Sequence, residues 1–246
     1  MTFDAWLHAL EERHLHELQF REVSKALRAL SSTYVERRHR VASGAALSSA
    51  GKRAAFALFY GPLHYLFVER VVDALGARAI PRSMLADLGC GTGAAGVAWA
   101  SARSDRPRLH GVDRHPWAVR EAAWTYRHFR LDAKTIAGDV NATPLPRGPA
   151  SFLAAFTLNE LRDEERRSLL KKLLDRVAGG DSLLVVEPIA TSVAPWWSEA
   201  RAMVEQVGGR ADEWRFRVPL PAIVRKLDDA TGLRHEEITG RTLFAG

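Results

Sequence analysis

The stretch Met84–Ala100 reads MLADLGCGTGAAGVAWA and decides the fold. Met84–Leu88 has the apolar density of a short buried strand, with one acid, Asp87, near its end. Gly89, Gly91 and Gly93 then make a turn, and the Ala-rich run behind them predicts a helix. A strand that feeds a helix through glycines brings bare backbone N–H groups against a ligand, at the positive end of the helix dipole. Glycine serves there because the turn demands positive φ and because a Cβ would block close approach.

Two ligand classes use this arrangement. Gly91-Thr92-Gly93-Ala94-Ala95-Gly96 satisfies G-x-G-x-x-G, the pattern of dinucleotide-binding turns. Read from Asp87, the same residues satisfy D-x-G-x-G-x-G and resemble the S-adenosylmethionine (SAM) loop of class I methyltransferases. Asp87 separates the two, because a carboxylate beside the turn repels a pyrophosphate and attracts the ammonium end of SAM. A glycine-rich turn with no ligand is the plainer alternative.

With 246 residues, 47% of them hydrophobic, the chain can bury the core of one α/β domain plus an appendage. No apolar run reaches membrane-spanning length, and MTFDAWLHALEERH is too charged for a secretory signal. The single cysteine, Cys90, excludes a disulfide framework and a Cys-rich metal site, so no metal is expected. These features predict a cytoplasmic protein without a membrane partner. The net charge of +6 admits RNA as a partner or, equally, a solvated basic face.

Outward from the turn, apolar residues at three- and four-residue steps predict two amphipathic helices from Phe3 to about Arg40. Arg37-Arg38-His39-Arg40 forms a basic cluster at their end, and Val41–Gly51 reads as a linker. Lys52–Leu75 is helical in pattern, with an interruption expected at Gly61-Pro62. Its Tyr60 and His64 are candidate site residues, whereas Tyr65 reads as core. Downstream, Arg108–Val112 is a predicted strand ending in Asp113, which can accept both ribose hydroxyls of an adenosine ligand. His115–Phe129 follows as a helix. Lys134–Ala137 is the third strand, with Gly138-Asp139-Val140 behind it.

Ser151–Phe156 predicts strand four, running into Thr157-Leu158-Asn159-Glu160 and the charged helix Asp163–Val177. Asp181–Glu187 predicts strand five. Ligands of open parallel sheets bind beyond the carboxyl ends of the strands, which singles out Asn159, Glu160 and Glu187. An amide there can orient an acceptor and a carboxylate can take a proton; a capped helix start is the blander reading of Glu160. Ala190–Val207, with Trp196-Trp197, predicts a helix. Asp212–Val218 reads as a short strand or extended loop, Leu220–Thr231 as a helix, and Leu233–Ala245 as the last one or two strands.

Strands alternating with helices from about residue 80 predict an α/β fold, a doubly wound, mostly parallel sheet of the seven-stranded, Rossmann-like type. The expected domains are an N-terminal helical region, 1–78, serving as lid or docking arm, and a ligand-binding domain, 79–246. With DLGCGTG, Asp113 and Asp139 in series, the chain resembles class I SAM-dependent methyltransferases. That resemblance implies SAM as cofactor and S-adenosylhomocysteine (SAH) as product. It implies a cofactor set of Asp87, Gly89, Cys90, Gly91, Gly93, Asp113, Arg114, Asp139, Val140 and Phe156, in which Asp139 would meet the adenine amino group. YVERR, LNELRDEERRSLLKKL and LLVVEP are similar to the Rsm22-like family associated with the small ribosomal subunit. This implies ribosomal RNA as an acceptor, although the cysteines of many members are absent here. No Asn/Asp-Pro-Pro-aromatic tetrad follows strand four, and Cys90 sits inside the turn, so neither adenine amino methylation by the usual route nor a cysteine nucleophile is expected. Direct attack on the methyl group by an oxygen, nitrogen or carbon remains, with Asn159, Glu160, Glu187, Tyr60 and His64 as catalytic candidates. The acceptor is then RNA, a small molecule or a peptide. A SAM-binding assembly factor without turnover and a nucleotide-dependent oxidoreductase are the alternatives.

Overall fold

The computed structural model describes residues 2–36, 47–190 and 194–246. The basic cluster Arg37–Arg40 and most of the expected 41–51 linker lie outside these residues. The chain forms two compact units, one of residues 1–64 with 217–238, the other of residues 65–216 with 239–246. The boundary expected after residue 78 follows the sequence pattern; by contacts, the first unit ends at His64 and takes in a later segment.

The first unit is helical. Helix α1 (Phe3–Leu15) starts at Thr2, whose hydroxyl accepts from the Ala5 N–H. It buries Trp6, Leu7 and Leu10, and α2 (Phe20–Glu36) buries Val23, Leu27 and Leu30 at helical spacing. Helix α3 (Ala50–Ala55), capped by Ser49, continues through a π turn (Phe56–Tyr60) into α4 (Gly61–Ala74). The interruption expected at Gly61-Pro62 takes the form of this π turn, after which α4 starts at Gly61. The Gly61 N–H reaches back to the carbonyl of Phe56, and this wider turn takes up the proline ring that a regular helix would reject.

The second unit is built on a seven-stranded sheet. Its elements are β1 (Met84–Leu88), α5 (Ala94–Ala102), β2 (Arg108–Asp113), α6 (Pro116–His128), β3 (Ala133–Ala137), β4 (Ala150–Ala155), α7 (Asp163–Ala178), β5 (Ser182–Glu187), α8 (Trp197–Gln206) and β6 (Arg210–Phe216). Helix α9 (Ala222–Thr231), grouped with the first unit, precedes β7 (Ile238–Ala245). The spatial order is β3-β2-β1-β4-β5-β7-β6. The strands from β3 to β5 pair in parallel, and β7 runs antiparallel to β5, with Glu187 opposite Arg241. Leu233–Ala245 thus supplies one strand, and α8 begins at Trp197 rather than at Ala190.

Alternation along β1 sends Ala86 and Leu88 to one face. There they join Phe152, Leu183, Val185 and Leu243 with Leu169, Leu173 and Val204 of α7 and α8. Asp87 turns to the other face, toward Tyr126 of α6. Strand β5, with a neighbour on each side, is buried along all six residues, which explains its unbroken apolar run. The strand order reverses between β1 and β4, so the loops leaving these two strands flank the crevice where doubly wound sheets bind ligands.

Candidate functional site

The glycine turn has the conformation its sequence demands. Gly89, Gly91 and Gly93 take φ of 71°, 51° and 79°, a region that L-residues with a Cβ avoid. A Cβ on Gly89 would run into Thr157, whose hydroxyl donates to the Leu88 carbonyl at 2.9 Å. Thr157 is a contributor that sequence reading passes over, because nothing in its neighbourhood marks it as the floor of a turn 68 residues away.

Asp113, at the carboxyl end of β2, faces this turn. One carboxylate oxygen accepts from the Gly91 N–H at 3.0 Å and the other from the His115 N–H at 2.8 Å. A carboxylate has about four acceptor sites, so each oxygen keeps one for a further donor. Arg114, the next residue, pairs with Glu160 at 3.3 Å. Burial pushes the Glu160 carboxyl up to about 7, against the pull of Arg114 and with a push from Asp113.

Asp87 has a different setting. It is 1% exposed and accepts from the Tyr126 hydroxyl at 3.0 Å and from the backbone N–H of Gly96. Burial raises it to about 7. Both bonds turn it inward, so it braces the first turn of α5 beneath the glycines. Cys90 is buried beside it, and burial raises its thiol well above the ordinary range, which leaves it a packing group.

Asp139 follows β3 in a tight turn: its Oδ1 accepts from the Asn141 N–H at 2.7 Å, and its side chain is otherwise exposed. Val140 beside it is buried. Phe156, directly after β4, has φ of 58°. An aromatic residue in the left-handed region is a strained position, and such positions gather at functional sites.

The catalytic candidates divide. Asn159 and Glu187 are brought together: Glu187 Oε1 accepts from the Asn159 N–H at 3.2 Å, and Oε2 accepts from its side-chain amide. The Asn159 carbonyl in turn accepts from the Trp196 indole N–H at 3.2 Å. Glu187 is fully buried, and burial raises it to about 8, so it is neutral at pH 7. Glu160 goes the other way, to Arg114. Tyr60 and His64 belong to the first unit. The Tyr60 hydroxyl lies 3.3 Å from that of Ser31, and the two rings pack with Phe56. Burial lowers His64 to about 3, leaving it neutral. Tyr65 is core, stacked on Phe129. No group of acids, histidines and cysteines among the described residues can hold a metal ion.

Residues 85–180 match the family described as a methyltransferase domain. No curated protein matches the chain in sequence. Among solved structures, the mitomycin 7-O-methyltransferase is 15% identical, with 97% of this chain and 71% of that one covered and a TM-score of 0.54. Magnesium protoporphyrin IX methyltransferase from Synechocystis PCC 6803, with SAH bound, is 15% identical over 91% of this chain and 98% of its own, at a TM-score of 0.50. A precorrin 8W decarboxylase from Methanobacterium thermoautotrophicum is 16% identical over 72% and 89%, also at 0.50. At such identities the likeness shows the fold alone, and that fold hosts more than one kind of reaction. The mixed seven-stranded, Rossmann-like sheet with N-terminal helices is the one expected.

Proposed function

We propose that this SAM-dependent methyltransferase transfers its methyl group to a small polar acceptor held at the carboxyl ends of β4 and β5. One observation carries the choice of a small acceptor: the polar groups there are tied to one another, buried Glu187 to half-buried Asn159 and Asn159 to Trp196, and not spread on an exposed face. Polar groups gathered in this way suit a small molecule and not a polymer backbone.

In this reading the turn Gly89–Gly93, with Cys90 contributing backbone, cradles the amino-acid portion of the cofactor. Asp113 takes the ribose hydroxyls, and Asp139, Val140 and Phe156 border the adenine. Bound SAM supplies an electrophilic methyl group, so the protein's contribution is alignment and removal of a proton. Asn159, held at its backbone and its side chain by Glu187, orients the acceptor through its amide. Glu160, whose carboxyl is balanced near neutrality, takes the proton where the acceptor carries one.

Tritium-labelled SAM, incubated with the protein and a cell extract divided into RNA and low-molecular-weight fractions, tests the proposal. Label in the low-molecular-weight fraction, lost in Asn159→Ala, is expected. Label in the RNA alone replaces it with the second reading, ribosomal RNA as acceptor. The net charge of +6 and the Rsm22-like stretches favour that reading. RNA binding that falls steeply between low and high salt would accompany it.

A further inference from the structure

Arg241 stands on β7 directly opposite Glu187, so their side chains leave the sheet on the same face. It is 2% exposed. A guanidinium remains charged even when buried, and an interior charge requires a partner. The obvious one, Glu187, is committed to Asn159 through both carboxylate oxygens. Among the described residues Arg241 forms no ion pair. Among those residues its Nε–H has no hydrogen-bond partner, and one Nη lies 3.5 Å from the Ala194 carbonyl, at the outer limit of a bond. Burial draws its pKa down, partly opposed by Glu187 and Glu213.

The surroundings favour a particular occupant. The guanidinium carbon of Arg241 lies over the Trp197 ring, 4.2 Å from its centroid. With one side held against this ring, the guanidinium keeps an unfilled edge, its Nε–H beside the Nη–H that makes the long Ala194 contact. That edge matches the two oxygens of a carboxylate. Arg166, which lies over the neighbouring Trp196 at 4.8 Å, differs: its fork is already taken by the Leu161 carbonyl and Asp163. Of these two arginines on neighbouring tryptophans, Arg166 has its fork filled and Arg241 does not.

We infer that Arg241, set over Trp197, is the binding residue for a carboxylate carried by the methyl acceptor. This rests on the small-acceptor reading and narrows it to carboxylic acids. The carboxylate replaces the long Ala194 contact and sits beside Glu187 and Asn159, so the acceptor's nucleophile points back toward the β4 loop. The carboxylate is the handle and not the methylated group, because oxygens engaged by a guanidinium are poor nucleophiles. A phosphodiester backbone fits less well, since a single arginine, 2% exposed, is beyond the reach of a polymer.

The protein, saturated with SAH, is titrated with sodium benzoate, benzamide and inorganic phosphate. The readout is the Arg Nε–H NMR resonance that disappears in Arg241→Lys. Benzoate is expected to shift that resonance saturably, while its uncharged counterpart benzamide leaves it in place. Arg241→Gln is expected to weaken benzoate at least about tenfold, with SAH affinity unchanged. Arg241→Lys, which keeps the charge and loses the fork, is expected to bind benzoate weakly as well. Four results would each overturn the inference: no response to benzoate in the wild type, an equal response to benzamide, a preference for phosphate, or wild-type benzoate affinity in Arg241→Lys. Failure of the wild type to bind SAH would instead remove the cofactor reading beneath it. If Arg241→Gln loses SAH binding through misfolding, the wild-type comparison and Arg241→Lys decide.

Discussion

Asp113 shows how far a single residue can be read. An acid at the end of the second strand is visible in the sequence, and the fold gives it two backbone N–H donors that aim it at the glycine turn. Charge-assisted bonds of this kind contribute about 1.5–3 kcal/mol each. Asp113→Ala is therefore expected to weaken SAH binding by about 10- to 100-fold in calorimetry, with the fold intact. Asp87 looks equivalent in sequence and is not, because alternation along β1 turns it into the protein, onto Tyr126 and Gly96. Arg241 and Thr157 were beyond sequence reading altogether. Their importance comes from pairing and close approach between distant segments, which composition does not encode. Phe156 offers a test of backbone strain at one position. Its φ of 58° suits glycine, so Phe156→Gly is expected to be more stable than Phe156→Ala. A difference of about 1 kcal/mol in denaturant unfolding is the expected size.

Elements were legible where one face, or both, is buried. The unbroken apolar run of β5 and the helical spacing of α2 fix type and extent, and both are where expected. At Pro62 a break in the regular helix was legible from the proline, but its form, a π turn that carries the chain into α4, was not. Nor was the antiparallel direction of β7, which depends on a connection through α9. Within α5, Gly96 stands where a Cβ would strike the Asp87 carboxylate. Alanine gains about 1 kcal/mol of helix propensity over glycine. Overpacking against a buried group that Tyr126 holds in place costs about 1–3 kcal/mol. The second effect prevails, so Gly96→Ala is expected to lower the melting temperature, by about 2–4 °C for each net kcal/mol.

For the molecule as a whole, three acids dominate the response to pH, opposed below about pH 6.5 by His64, which the fold keeps neutral. Asp87 and Glu160 are raised to about 7 and Glu187 to about 8, burial being the first cause in each. All three bind protons more tightly folded than unfolded. The stability they contribute is complete below about pH 4 and is lost as pH rises through 7 to 8. The melting temperature is expected to fall between about pH 5 and pH 8.5, and Glu187→Gln, which cannot ionise, is expected to flatten the upper part of that fall. A flat profile for the wild type would mean that these carboxyls are solvated in the native state.

The place of β7 also matters while the chain is being made. It is the last strand to be synthesised, yet it lies between β5 and β6. Until Ile238–Ala245 leaves the ribosome, β5 presents a fully apolar strand with a bare edge, and β6 has no neighbour to join. At about 5–20 residues per second, that exposure lasts several seconds. A nascent chain stalled between Pro188 and Glu237 thus offers other polypeptides a sticky template. Its dependence on ribosome-associated chaperones should be greatest over that interval and should end once the final strand slots into the gap.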